Sequence, residues 1–127
     1  MTCDELTEFA KRYAAAWCSH DPEKVAAFFA ENALISVNDG PPGPISEVAR
    51  GFIRDFPDMI VTFHTLEPRG DRIAFHWTLT GTYAGNGNRV DISGYELWKI
   101  DNKGLIAESK GHFDAADYER QLRESAQ

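Results

Sequence analysis

The chain has 127 residues, of which 43% are hydrophobic and 26% are charged, and its formal net charge is −7. This length fits one domain over residues 1–127, and no apolar run approaches the roughly 20 residues of a membrane span. The acidic balance argues against nucleic acid and anionic membranes as partners, because both need clustered Lys and Arg.

Sequence motifs for cofactors and metals are missing from the chain. Cys3 and Cys18 are its two cysteines, and they form neither a CxxC pair nor a Cys/His cluster at metal spacing. A glycine-rich phosphate loop and a GxSxG motif are also missing. We therefore expect no cofactor and no metal. The N-terminal residues lack the basic and apolar stretches of a secretory signal, so we expect a cytoplasmic protein.

The first part of the chain has helical patterns. Thr2 and Glu5 form a capping-box signature, and apolar residues then recur at helical spacing to about Ser19. The pair Asp21-Pro22 is suited to cap and open a second helix, which we expect to end near Asn32. Two helices are thus predicted before the first strand.

A short strand is predicted over residues 33–37, followed by a loop rich in turn-forming residues over 38–44. We expect this loop at the mouth or edge of a pocket. Ser46 is expected to cap a third helix, which Pro57 closes because proline disfavours helical geometry at the residue before it.

The rest of the chain alternates between apolar and polar residues and is divided by turn sequences. This pattern is typical of antiparallel strands joined by short turns. The strands are predicted over residues 59–66, 72–83, 89–100 and 105–113, with a closing helix over 114–124.

These elements indicate an α+β domain. We expect a curved, mostly antiparallel sheet that forms a cone, with the three N-terminal helices over its concave face. A cavity between the two layers is where small-molecule sites usually lie. Polar residues on the inward faces are therefore the candidates for function.

Glu96 is the first such candidate. Within the predicted strand 89–100, alternate residues share one face, and Glu96 falls in a series with Val90, Ile92 and Trp98. An ionised carboxylate without partners costs several kcal/mol to bury. Glu96 is therefore expected to be paired, protonated or facing a cavity.

His112 and Asp114 are predicted to share one face at the end of the last strand. A carboxylate beside an imidazole in a partly dry cavity makes a workable acid/base pair. The alternative is that Asp114 only caps the closing helix, since Asp is a favoured N-cap residue. The sequence pattern by itself favours the capping role.

Aromatic residues have two interpretations in this sequence. Tyr13 lies on the apolar stripe of the first helix, so it either packs in the core with its hydroxyl on one partner or donates into the cavity. By the same reasoning we expect the tryptophans and phenylalanines mostly in the core, although a cavity lined by Trp98, Phe28 and Phe29 would favour an apolar, ring-shaped ligand. For His76, a cross-strand hydrogen bond on a solvated face is favoured over catalysis.

The chain resembles the SnoaL-like polyketide cyclases of the nuclear transport factor 2-like superfamily over nearly its whole length. The residues that carry this resemblance are 9–13 with Trp17, 27–33, 56–58, 70–74, 77–83, 104–106 and 121–122.

The resemblance implies a polyketide-like substrate, a homodimer, and Asp114 as the general acid/base. Together with the predicted cavity and the shared face of His112 and Asp114, it leads us to expect an apolar, cyclic or polyketide-like ligand and tuning of Asp114 by His112. The ketosteroid isomerases share this fold and use a tyrosine with a protonated carboxylic acid as an oxyanion hole. Tyr13 and Glu96 resemble that pair. The position of the isomerase base falls on Val37, so steroid isomerisation is not expected unless Asp39 or Asp114 takes the place of that base. The alternative function is a non-catalytic ligand-binding or dimerisation module.

Overall fold

The computed structural model describes residues 2–123. Within this range the chain forms four helices and six strands. In chain order these are α1 (Cys3–Cys18), α2 (Pro22–Ala26), β1 (Phe29–Val37), β2 (Gly43–Pro44), α3 (Ile45–Asp55), β3 (Ile60–Arg69), β4 (Arg72–Thr82), β5 (Arg89–Ile100), β6 (Ile106–Phe113) and α4 (Ala115–Arg123).

The strands form one sheet in the order β2-β1-β6-β5-β4-β3. All neighbouring strands are antiparallel except β1 and β6, which are parallel. Apolar side chains from α1, α2, α3 and five of the strands form one buried core. The predicted α+β class with a mostly antiparallel sheet is confirmed. None of the helices in the described part of the chain is long and apolar enough to cross a membrane.

Helix α1 begins as its sequence predicts. Thr2 Oγ1 accepts a hydrogen bond of 3.1 Å from Glu5 N, and Glu5 Oε1 accepts one of 3.1 Å from Thr2 N. This reciprocal pair satisfies two backbone donors that a helix N-terminus otherwise leaves unpaired. The helix ends at Cys18 with Ser19 as its C-cap, and it buries Phe9 and Trp17 on one side.

The second predicted helix is too long. Helix α2 ends at Ala26, and β1 begins at Phe29, where the sequence pattern predicted continuing helix as far as Asn32. Phe29 instead pairs with Ile106 of β6. Asn32 has a positive φ of 63° within a register shift of β1, a conformation that Asn tolerates better than most residues. Pairing with a distant strand has overridden the local helical pattern.

Helix α3 begins two residues earlier than predicted. Pro44, rather than Ser46, is the N-cap, and it makes no side-chain capping bond. The two residues before the helix form strand β2, which pairs with Leu34 and Ile35 of β1. This pairing fixes the start of α3, so Ser46 lies inside its first turn. The helix ends at Asp55, close to the predicted stop at Pro57.

Strand β5 has the predicted bounds, whereas β6 begins one residue later than predicted and contains an irregularity. Lys99 pairs with Glu108, but the next residue, Ile100, pairs with Ile106. Ala107 is thus an extra residue, as in a β-bulge. The bulge breaks simple alternation, so Ile106 and Ser109 are both buried. The closing helix begins at residue 115, and its predicted end at residue 124 lies outside the described residues.

Candidate functional site

A cavity lies between the helices and the sheet. Its volume is about 60 Å³, and it is partly open to solvent. Residues from α1, α3 and five of the strands contribute, and among these described residues Glu96 has the single ionisable side chain. The lining residues are Trp17, Ile35, Val37, Val48, Phe52, Val61, Trp77, Leu79, Ile92, Glu96, Gly111 and Phe113.

Glu96 is held in place by donors from three elements of the fold. Its Oε1 accepts hydrogen bonds from Tyr13 Oη at 2.9 Å, from Trp98 Nε1 at 3.1 Å and from Ser109 Oγ at 2.8 Å. Its Oε2 has one longer contact, 3.2 Å to Tyr13 Oη. Tyr13 has one hydroxyl hydrogen for both oxygens. Oε2 therefore keeps most of its hydrogen-bonding capacity.

Burial dominates the proton affinity of Glu96. The side chain is 7% exposed, and loss of solvation raises its pKa above the ordinary value for Glu. The hydrogen bonds from Ser109, Trp98 and Tyr13 favour the ionised form and lower the pKa in part. Glu96 therefore keeps its proton to a higher pH than an exposed Glu does.

Tyr13 supports Glu96 from inside the core. It is 0% exposed, and it is not among the residues that line the cavity. Burial, and then the charge of Glu96, raise the pKa of Tyr13 well above its usual value. Five aromatic rings lie with their centroids 5.2 to 6.3 Å from that of Tyr13: Trp17, Phe28, Phe29, Phe75 and Trp98. Of the two interpretations from sequence, the contacts correspond to core packing with one hydroxyl partner.

Asp114 lies at the junction of β6 and α4. Its side chain is exposed, and its Oδ1 accepts a hydrogen bond of 3.1 Å from Asp117 N. The backbone oxygen of Asp114 accepts a bond of 3.0 Å from Tyr118 N. Asp114 thus caps α4. It follows Phe113, which lines the cavity, but it does not line the cavity itself.

Comparison with known proteins defines the family. A family model described as SnoaL-like polyketide cyclase matches residues 7–122, which is most of the chain. The chain belongs to the SnoaL-like polyketide cyclase family. No curated protein matches its sequence.

Solved structures similar to this SnoaL-like protein share its fold at low sequence identity. A putative hydroxylase, AclR, from Streptomyces galilaeus is 18% identical with a TM-score of 0.79, covering 95% of this chain and 82% of its own. A putative SnoaL-like polyketide cyclase from Jannaschia is 15% identical with a TM-score of 0.78, covering 94% and 92%. A hypothetical protein with a ketosteroid isomerase-like fold from Catenulispora acidiphila, in complex with trimethylamine, is 17% identical with a TM-score of 0.78, covering 90% and 91%.

His112 lies away from the cavity of this SnoaL-like protein. Its ring centroid is 5.1 Å from that of Tyr95, which it faces across the β5–β6 pair. In the part of the chain that the structure describes, no hydrogen bond or ion pair joins His112 to Asp114. His76 makes the predicted cross-strand hydrogen bond, with its Nε2 3.0 Å from Glu67 Oε1.

Trp98, Phe28 and Phe29 are not among the residues that line the cavity. Trp98 is 0% exposed and stacks on Phe75 with ring centroids 4.8 Å apart, so it is a core residue. Phe28 and Phe29 pack around Tyr13. The aromatic residues that line the cavity are Trp17, Phe52, Trp77 and Phe113.

Two residues of the site have a role that the sequence analysis did not assign. Ser109 is 1% exposed and donates to Glu96, and no local pattern of the sequence indicates this role. The Trp98 indole donates to the same oxygen, because residues 96 and 98 share one face of β5. Among the described residues, no group of His, Cys, Asp and Glu side chains is arranged to hold a metal ion.

Proposed function

We propose that this SnoaL-like protein binds a compact, apolar, cyclic or polyketide-like ligand and transfers protons on it, as a cyclase or an isomerase does. The observation that carries the proposal is Glu96, a buried carboxyl group with a raised pKa in a cavity whose other lining residues are uncharged. Ionisable groups with perturbed pKa values in a cavity are typical of catalytic sites.

In this proposal Glu96 acts as a neutral acid. Its three donors converge on Oε1, so the proton resides on Oε2. There it is available to donate a hydrogen bond to a ligand oxygen. A protonated carboxyl group that donates to a developing enolate oxygen lowers the barrier to removing a proton from the neighbouring carbon. Tyr13 and Ser109 position Glu96 for this role rather than touch the ligand.

Asp114 is the proposed base. It follows Phe113 of the cavity lining, and its capping bond uses Oδ1, which leaves Oδ2 as the oxygen for proton abstraction. A carboxylate at the end of β6 and a neutral acid on β5 would divide the work of enolisation between two groups. His112 has no part in this scheme, because it packs against Tyr95.

The test is exchange of the protons next to the carbonyl of 1-indanone in deuterated buffer, followed by proton NMR. Wild-type protein should accelerate exchange above the buffer rate, and Glu96→Gln should lower that acceleration by roughly 10² to 10⁴-fold, as for other acid/base groups. Asp114→Asn should do the same while keeping the cap of α4. Glu31→Gln removes an equal charge at an exposed position and should leave the rate unchanged.

The second candidate function is passive ligand binding. It is favoured by the finding that Glu96 alone, among the four predicted site residues, lines the cavity. For a passive binder, wild type and both variants would exchange 1-indanone protons at the same background rate. The homodimer implied by the family resemblance stays a prediction, and sedimentation equilibrium of the wild type tests it.

A further inference from the structure

We propose that the same cavity binds compact organic cations, namely tertiary or quaternary ammonium groups carried on an apolar body, through Glu96 and the four aromatic side chains of its lining. This inference goes beyond the proposed function. It concerns the ionised form of Glu96 and a second class of ligand, and it does not depend on proton transfer.

The charges at the cavity favour a cation. In the described range 2–123, no Lys, Arg or His is among the lining residues, and Glu96 is the one ionisable group there. The whole chain carries a formal net charge of −7. When Glu96 is ionised, the cavity holds an unbalanced negative charge with little solvent around it, and a buried charge of this kind gains most from a partner of opposite sign.

The uncharged part of the lining also suits an ammonium group. Trp17 and Phe52 pack with ring centroids 6.3 Å apart, and Trp77 and Phe113 with centroids 6.0 Å apart. These two aromatic pairs come from α1, α3, β4 and β6, so rings surround the cavity from both layers. Aromatic rings attract methylated ammonium groups through their negative faces, most strongly where water is excluded.

Glu96 has the hydrogen-bond partners that its ionised form needs. The donors Tyr13, Trp98 and Ser109 already stabilise a negative charge on Oε1, while Oε2 keeps capacity for a ligand. Among the residues that the structure describes, Tyr13 from α1 is the one titratable group that bonds Glu96, and its raised pKa keeps it neutral. Because burial raises the pKa of Glu96, a bound cation must displace the proton of the carboxyl group.

Choline and its neutral isostere 3,3-dimethylbutan-1-ol are the probes for this inference, because they share shape and hydroxyl group and differ in charge. Isothermal titration calorimetry with the wild type should show choline binding at least tenfold more tightly than the alcohol at a pH above the pKa of Glu96. Below that pKa, choline affinity should fall about tenfold per pH unit, with release of one proton per choline bound. Alcohol affinity should stay constant.

Three variants complete the test. Glu96→Gln should lose at least tenfold in choline affinity and keep its affinity for the alcohol. Phe52→Leu should weaken the binding of choline more than the binding of the alcohol, since leucine has no ring to attract the cation. Glu31→Gln, at an exposed position, should match the wild type with both probes. Circular dichroism confirms that each variant is folded.

Equal affinity of the wild type for choline and the alcohol overturns the inference, as does the absence of choline binding at every pH. A Glu96→Gln variant that loses affinity for both probes equally also overturns the inference, because the loss of affinity then comes from altered packing and not from the charge. These outcomes are distinct from failure of the proposed function, which is read from exchange of 1-indanone protons. Cation binding without proton exchange would support this inference alone.

Discussion

Tyr13 and Glu96 lie 83 residues apart in the chain and share a buried hydrogen bond of 2.9 Å between Tyr13 Oη and Glu96 Oε1. The bond joins the middle of α1 to the central part of β5. Because the hydroxyl is one of the groups that offset burial of the carboxyl, packing of the helix on the sheet and protonation of Glu96 are linked. A change in either should be measurable in the other.

Replacing Tyr13 with Phe removes this donor and keeps the ring in its aromatic surroundings. Since the Tyr13 hydrogen bond lowers the pKa of Glu96, its loss should raise that pKa further. NMR titration of the Glu96 side-chain carboxyl in wild type and Tyr13→Phe measures the change. Tyr118→Phe is the matched control, because Tyr118 packs on Phe113 and Phe56 and not on Glu96. A lower pKa in Tyr13→Phe would contradict the assigned contact.

Ser109 offers a second test of the same cluster. Ser109→Ala removes the 2.8 Å hydrogen bond to Glu96 Oε1 at a site that is 1% exposed. The free energy of unfolding, measured in urea, should fall by about 1 to 3 kcal/mol, as for other buried hydrogen bonds that lose a partner. Ser93→Ala is the control, since Ser93 bonds Thr78 away from this cluster, and it should cost less than about 1 kcal/mol. Equal losses in the free energy of unfolding for Ser109→Ala and Ser93→Ala would mean that the bond from Ser109 to Glu96 stabilises the fold no more than the bond of Ser93 does.

Two glycines on the cavity side of the sheet should respond differently to alanine. At Gly94 an added Cβ would press on the carbonyl oxygen of His112 and lie 2.9 Å from Trp77 Cζ2. At Gly111 the nearest atoms are 3.5 Å away or more, including Glu96 Cγ at 4.0 Å. Gly94→Ala should therefore lower the free energy of unfolding by about 3 kcal/mol, whereas Gly111→Ala should change it by less than about 1 kcal/mol. Urea denaturation of both variants measures the difference, and a stable Gly94→Ala would contradict the close approach.

Local signals predicted much of the fold correctly. The capping box of Thr2 and Glu5, and the turn sequences between the later strands, act over a few residues, so they can be read without knowing the partners. The end of α2 and the cap of α3 could not be predicted in this way. Pairing of Phe29 with Ile106 decides the first, and pairing of Pro44 with Leu34 decides the second.

The same difference explains what the sequence predicted about the site. Glu96 stood out because it interrupts an apolar face within one strand, which is a local pattern. Its partner Ser109 did not, because the register of β6 depends on a bulge at Ala107. The prediction that His112 and Asp114 share one face extended the strand alternation one residue past the predicted strand end at residue 113. The strand does end at Phe113, and Asp114 caps α4 instead.

Asp114 has two proposed roles that substitution can separate. Asn is as good an N-cap as Asp, whereas Ala cannot accept the bond from Asp117 N. Asp114→Asn should leave the free energy of unfolding within about 0.5 kcal/mol of the wild type, and Asp114→Ala should lower it by about 1 kcal/mol. If Asp114 is also the base, both variants should lose exchange of 1-indanone protons equally. Retained exchange in the stable Asn variant would leave Asp114 as a cap alone.

The pH dependence of stability should report the buried carboxyl group. The pKa of Glu96 is raised in the folded state, so the folded protein binds more protons than the unfolded chain at pH values between the two pKa values. The contribution of Glu96 is therefore fully present below its unfolded pKa of about 4.3 and is lost as the pH rises through its folded pKa.

Urea denaturation across this pH window should thus show the wild type losing stability relative to Glu96→Gln as the pH increases. Glu67 and Asp117 have lowered pKa values, so their contributions change in the opposite direction, at lower pH, and cancel in the comparison of the two proteins. The free energy of unfolding of Glu31→Gln, which removes an exposed charge, should change with pH in parallel with that of the wild type. Parallel curves for the wild type and Glu96→Gln would mean that Glu96 titrates alike in the folded and unfolded chains, and the neutral-acid role would then have no physical basis.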